Sequence, residues 1–347
     1  MNSKKGQRLL PVIPMFLILF FLSACGAQDT GGNSNGESSG GTTELVLSHT
    51  SAPDTPIYLT YEKFKEEVEE NSNGEITIKI HHSSTLAGDT QGVEMLGSGT
   101  LDIASAGTNN MSTFTDNFLV FDLPYIFENV ESAYEVLSGE VGQEIKATYE
   151  EESGYKLLFY ADTGSQRDVM NTVRQVKSPE DMSGLKFRSA ESPIEIATIQ
   201  KLGAVATPIS WVEVYSALEQ GVVNGELQQY HWAVTANHQE VIKHVTETGG
   251  IQAVHLAIMN GEKFSSLSQE HQDIIMEASQ AAQEYNFSEA PALLQGLRQT
   301  MIDAGVQIYE PTDEELEIWK ETAIPVWDEF TDVIPEDLIQ RIVEAQE

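Results

Sequence analysis

Short apolar runs of β character alternate with stretches of helical periodicity along almost all of this 347-residue chain, and few architectures accept that rhythm. Glu44–His49 is a Leu/Val-rich strand. From Ile57 the apolar positions Ile57, Tyr61, Phe64 and Val68 recur at helical spacing with Glu and Lys between them. Asn73-Gly74 turns the chain, and Ile76, Ile78 and Ile80 alternate as the next strand. A helix around Thr90–Leu96, a strand Leu101–Ala104, a helix from Asn129 to Leu137 and a strand Lys156–Phe159 follow. The pattern then repeats with a helix start at Ser178-Pro179-Glu180-Asp181, a strand Leu185–Arg188, a helix Pro193–Leu202 and a strand Ala204–Ile209. Ser210 with Glu213, and Thr312 with Glu315, have the spacing of capping boxes, and Pro335 opens a last helix. Val241–Thr246 and Gln252–Met259 read as two strands that cross back between lobes. Ser268 to Ala304 is helical in character, interrupted mainly by Pro291 and Gly296. Such alternation with short links implies an α/β protein with a parallel sheet flanked by helices, and the length suits about two lobes.

The first residues are an address. Lys4, Lys5 and Arg8 precede an apolar run from Leu9 to Leu22 that is broken by Pro11 and Pro14 and closes on Ser23-Ala24-Cys25-Gly26. A basic head, an apolar segment too short to span and small residues at its end mark a secretory signal over residues 1–24. Leu22-Ser23-Ala24-Cys25 resembles a bacterial lipobox, so Cys25, the only cysteine, is the expected lipidation site. An ordinary signal peptide or an uncleaved anchor are the alternatives. Residues 26–43 contain no aromatic or branched aliphatic residue and read as a flexible tether reaching on the order of 20–25 Å.

Composition removes several functions. With 54 Asp+Glu against 19 Lys+Arg the formal charge is −35, and losing Lys4, Lys5 and Arg8 with the signal takes it to −38. A phosphate-tracking surface must be basic, so nucleic acid is excluded as a partner. One cysteine closes no intramolecular disulfide and builds no cysteine-rich zinc site. No Walker-type loop, His-Glu-x-x-His or Gly-x-Ser-x-Gly occurs. His81-His82 would face opposite ways on a strand, and His231, His238, His244 and His255 are scattered, so they read as core or surface histidines rather than metal ligands. No metal, cofactor or enzymatic activity is expected. The enzymatic alternative is a secreted hydrolase using paired carboxylates.

Arginine is the informative residue. Beyond the signal there are five, and Arg167, Arg174 and Arg188 fall within 22 residues, joined by Lys177 and Lys186, in a strongly acidic chain. Arg188 ends its strand on the face opposite Leu185 and Phe187, where ligands of open α/β sheets gather. An arginine there can grip a carboxylate through two parallel charged hydrogen bonds. These cations would equally neutralise neighbouring acids on the surface. The residues alone lead as far as a candidate anion cleft.

The motifs Gly164–Arg188, Ser192-Pro193, Leu202-Gly203-Ala204, Glu213-Val214-Tyr215 and Ala217–Gly225, with Phe121-Asp122-Leu123-Pro124-Tyr125-Ile126-Phe127 upstream, resemble the substrate-binding proteins of TRAP (tripartite ATP-independent periplasmic) transporters of the DctP type. Ser84-Thr85-Leu86 and Gly99–Ile103 fit as well. The resemblance implies a two-lobed periplasmic-binding-protein-like fold, with hinge-crossing strands and a long helix spanning both lobes. Lobe I would hold residues 44–163 plus about 253–290, and lobe II residues 164–252 plus about 291–347. It further implies capture of a small organic anion and delivery to the small and large permease subunits in the membrane. A monomer held to the membrane by its lipid alone is expected.

Carried over by position, Arg188 is the carboxylate clamp and Arg167 its supporting arginine. Trp211 forms an apolar wall, and Asp89 accepts hydrogen bonds from ligand hydroxyls. Gln228 stands in Asn224-Gly225-Glu226-Leu227-Gln228-Gln229, where the family pattern is Asp-Gly-Gln-Glu-Asn-Pro, so it replaces a ligand-binding Asn with an amide one methylene longer. Glu226 is expected at the surface. These polar groups favour a sugar acid or other hydroxycarboxylate, with a C4-dicarboxylate or 2-oxo acid as the runner-up. A binding protein that presents its ligand to a membrane sensor is the third possibility.

Overall fold

The computed structural model describes residues 42–346, so the signal, Cys25 and nearly all of the tether lie outside the described residues. Nine strands form one sheet: β1 (Thr43–Ser48), β2 (Ile76–His81), β3 (Ile103–Gly107), β4 (Lys156–Asn171), β5 (Lys186–Ser189), β6 (Val205–Pro208), β7 (Gly225–Gln228), β8 (His244–Met259) and β9 (Gln307–Tyr309). Their order is β2-β1-β3-β8-β4-β7-β5-β6, with β9 also paired to β8.

The sheet is mixed rather than parallel. β1 pairs parallel with β2 and β3, and β5 with β6 and β7, as βα alternation requires. β4 and β8, 16 residues each, lie between these two sets and pair antiparallel with each other and with β3 and β7. Lys156–Phe159 is thus only the start of a long strand, and Val241–Thr246 and Gln252–Met259 contribute to a single one. The polar and glycine residues that looked like breaks find long-range partners. Asp162 N–H donates to Asn286 Oδ1 at 2.6 Å, Gln252 Nε2 donates to Asp162 at 2.5 Å, and Gly249 N–H donates to Asp168 at 3.1 Å. The predicted strand Leu101–Ala104 begins two residues later, and Asp102, just before it, takes Val46 on both sides: its N–H donates to the Val46 carbonyl at 3.1 Å and its carboxylate accepts Val46 N–H at 2.8 Å.

Each half of the sheet carries a core on both faces. Leu157 belongs to the cluster with Phe118, Phe121 and Tyr160, and its neighbour Leu158 to the cluster with Tyr61, Phe64 and Ile275. Val169 faces Phe187, Ile199 and Trp319, and Met170 faces Val214, Leu218 and Met301. This alternation is that of strands covered by helices on both sides. The helix Gln269–Leu293 runs along the first half to the crossing, where Gly164 (φ +82°) lies under it. A Cβ at Gly164 would come within 3.1 Å of the Ala290 carbonyl, so the helix can sit this close only on glycine.

Two helix starts form as reciprocal capping boxes, at Ser178/Asp181 and Thr312/Glu315. The Ser210/Glu213 box does not form: Trp211–Glu213 is a 3₁₀ turn in which Glu213 N–H donates to the Ser210 carbonyl, leaving the serine side chain unused. No helix among the described residues is long and apolar enough to cross a membrane.

Candidate functional site

Arg188 lies near the end of β5, a strand whose Phe187 is buried in the core of its half. The arginine is itself only 5% exposed. Its Nε donates to the Ile209 carbonyl at 3.0 Å, and its guanidinium sits 5.8 Å from the centre of the Trp211 ring. Among the described residues no carboxylate makes an ion pair with it. Burial pulls this guanidinium below its ordinary pKa, against the attraction of Glu195 and Glu226.

Arg167 comes from β4 and is committed differently. Its Nη1 lies 3.2 Å from Glu195 Oε1, and the other oxygen of Glu195 accepts Asn109 Nδ2 at 3.2 Å. Glu195 occupies the first turn of the helix Pro193–Lys201, whose N-cap Ser192 accepts the Glu195 N–H.

Trp211 heads its 3₁₀ turn and meets Trp232 edge-on at 5.4 Å and His238 at 5.1 Å. Gln228 ends β7, and its Oε1 accepts the Gln229 N–H at 3.0 Å, so donors are what its side chain has left to offer. Asp89 begins the helix Asp89–Gly97 and accepts Asn110 Nδ2 at 3.0 Å through one oxygen, while the other is buried without a partner. Burial lifts the Asp89 carboxyl to about 6, although Thr50, the Gly107 backbone and Arg188 pull it down.

All five of these residues line one inner cavity of about 360 Å³, together with Thr50, Asn109, Asn110, Trp232 and His255. The cavity leads into an outer cleft of about 1130 Å³. One wall of the cleft is Ala87–Thr90; the other is Arg188, Ala190, Glu191 and Ile209–Val212.

The basic cluster dissolves around this pair. Arg174 points away and donates to the carbonyls of Asp181 and Ser183 at 2.8 and 2.7 Å, and Lys177 covers the Tyr309 ring at 4.9 Å. Glu226 is not at the surface as expected: it is fully buried behind the cavity, 2.6 Å from His238 Nδ1. Coverage of β7 accounts for this, since Gly225–Gln228 is buried on both faces and none of its side chains reaches the surface. Burial lowers His231 to about 3 and His255 to about 4, so both are neutral at physiological pH. No group of three or more metal-ligating side chains occurs among the described residues.

Sequence reasoning did not pick out Asn109, Asn110, Glu195 or His255. The first two have a recognisable signal, a polar pair just beyond the carboxyl end of β3. Glu195 and His255 have none, because an acid in a first helical turn and a histidine in a strand are ordinary until their neighbours are known.

Residues 47–332 match the family of bacterial extracellular solute-binding proteins, family 7 (DctP). The 2,3-diketo-L-gulonate-binding periplasmic protein YiaO of Escherichia coli is 30% identical over 292 residues, 83% of this chain and 88% of that protein. The C4-dicarboxylate-binding periplasmic protein DctP of Rhodobacter capsulatus is 30% identical over 303 residues, 87% of this chain and 90% of that one. A TRAP periplasmic solute-binding protein of Chromohalobacter salexigens, solved with bound D-glucuronate, superposes with a TM-score of 0.82 at 26% identity, covering 87% of this chain and 99% of the other. The chain therefore belongs to the DctP family, the extracytoplasmic solute-binding proteins of TRAP transporters.

Proposed function

We propose that this protein captures a small hydroxycarboxylate, a sugar acid above all, by an arginine–carboxylate clamp and hands it to TRAP permease subunits in the membrane. One observation carries this reading: Arg188 is buried at the cavity with its Nε held by the Ile209 carbonyl and no ion-pair partner among the described residues. A buried, oriented and uncompensated guanidinium is costly, and a bound carboxylate removes that cost through paired charged hydrogen bonds. Trp211 supplies the apolar wall, and Asp89 and Gln228 meet hydroxyls, because an unpaired buried donor or acceptor costs about 1–3 kcal/mol. The ligand enters the open cleft, and residues 44–163 with about 253–290 close over it against the remainder, hinging where β4 and β8 cross. Closure expels water and strengthens the ion pair by lowering the local dielectric. Cys25 carries lipid and tethers a monomer to the outer face of the membrane.

A dicarboxylate is the competing ligand, favoured by the similarity to the Rhodobacter protein. Two relatives solved with D-glucuronate and β-D-galacturonate, each 26% identical, support the sugar acid. The test is calorimetric titration with sugar acids, dicarboxylates and 2-oxo acids of the protein and of Arg188→Ala. Binding that disappears in a folded Arg188→Ala supports the clamp; undiminished affinity there overturns it.

A further inference from the structure

The cavity contains two guanidinium groups, and they are not equivalent. Arg167 is already paired with an acid: Glu195 Oε1 stands 3.2 Å from its Nη1, Arg167 Nε is buried without a hydrogen-bond partner, and Arg167 and Glu195 are both 9% exposed or less. Asn109 fixes the second oxygen of Glu195, which holds that carboxylate on Arg167 rather than letting it swing away. Arg188 has no such partner among the described residues. The remaining acids give no room for further negative charge. Asp89 lines the cavity with one oxygen buried and unpartnered, and Glu226 lies behind Arg188 against His238. The rest of the lining is neutral: Asn109, Asn110, Thr50, Gln228, His255 and two indoles.

From this charge inventory we infer that the cavity accepts a ligand with one carboxylate and rejects its dicarboxylate counterpart, and that Glu195 is the residue that sets this limit by occupying Arg167. The inference rests on the reading of the cleft as an organic-acid site and narrows it. A first carboxylate meets the free fork of Arg188. A second would be buried among amides, hydroxyls and Asp89, with the only other cation already paired. Burying an unpaired like charge costs several kcal/mol, whereas hydroxyls at the same positions find donors and acceptors.

The experiment is calorimetric titration of the purified protein with matched pairs that differ only at the far carbon: D-gluconate against D-glucarate, and D-galactonate against D-galactarate, with succinate as a short diacid. At least one monoacid is expected to bind no less than about tenfold more tightly than its matched diacid. Glu195→Gln keeps the size of the side chain and an acceptor for Asn109 while releasing Arg167. It should reduce that preference at least tenfold, chiefly by gaining affinity for the diacid. A diacid or succinate that binds the unaltered protein as tightly as the best monoacid overturns the inference and leaves the organic-acid reading intact. An unchanged preference in a Glu195→Gln protein with native circular dichroism overturns the role of Glu195. The ratio in the unaltered protein decides the first point whether or not the variant folds. Failure of every acid to bind refutes the organic-acid reading, and this inference with it.

Discussion

Arg188→Lys separates the shape of the clamp from its charge. Lysine keeps the positive charge at the end of β5 but loses the Nε donor to the Ile209 carbonyl, 3.0 Å away, and with it the bond that fixes the direction of the fork. A single ammonium cannot place two parallel N–H groups on one carboxylate, so one charge-assisted hydrogen bond, about 1.5–3 kcal/mol, disappears from the complex. Affinity for the tightest-binding acid should fall by roughly ten- to a hundredfold, measured by calorimetric titration at fixed salt. The Ile209 carbonyl, left without its donor, should also lower the unfolding free energy by about 1 kcal/mol in urea titrations. A Kd within threefold of the unaltered protein would refute the reasoning, since it would mean that a point charge suffices.

Other perturbations probe the surroundings. Arg174→Ala should leave ligand affinity unchanged and cost no more than about 1 kcal/mol of stability, because its bonds to Asp181 and Ser183 lie outside the cavity; a tenfold loss of affinity would contradict this placement. His238→Ala strips the partner from the fully buried Glu226 and should destabilise by about 3 kcal/mol or more in urea unfolding; a loss under 1 kcal/mol would mean that the pair contributes little. Stability should be nearly level between about pH 4 and pH 6.5 and fall from there to about pH 7, for a reason of sign. Burial lifts Asp122, Asp162 and Asp168 to about 7, so between about pH 4 and pH 7 the folded chain holds protons that the unfolded chain lacks, and the stability they contribute is lost across that window. Burial holds His49 and His231 at about 3 and His255 at about 4, so stability is also lost as pH falls below about 6.5, where the unfolded histidines charge. Calorimetric Tm values that rise steadily from pH 5 to pH 8 would contradict the aspartate half of this argument.

Local periodicity reveals the outer strands and the first helix, because Ile76 and Ile78, with Ile80 partly covered, or Ile57, Tyr61, Phe64 and Val68 bury one face through nearest-neighbour spacing. The centre of the sheet is hidden for the opposite reason. Asp162-Thr163-Gly164-Ser165 and Glu247–Gly250 fall outside the strands expected from the sequence, and they continue as strand because Asn286, Gln252 and Asp168 satisfy them from 80 residues away or more. The same long-range dependence governs the site. Arg188, Arg167, Trp211, Gln228 and Asp89 share a cavity and are recognisable by residue type and motif. Whether a given arginine is free or occupied depends on Glu195, which nothing in its local sequence marks out. Arg174 shows the reverse error, in which proximity in sequence to Arg167 and Arg188 carries no proximity in space to the cavity.

A crystal structure of the protein grown with its tightest-binding acid tests the clamp most directly. The predicted result is a carboxylate in the inner cavity with both oxygens about 2.7–2.9 Å from Arg188 nitrogens and the Arg167–Glu195 pair intact. A carboxylate held elsewhere, or one that displaces Glu195 from Arg167 while Arg188 stays unpaired, would contradict it.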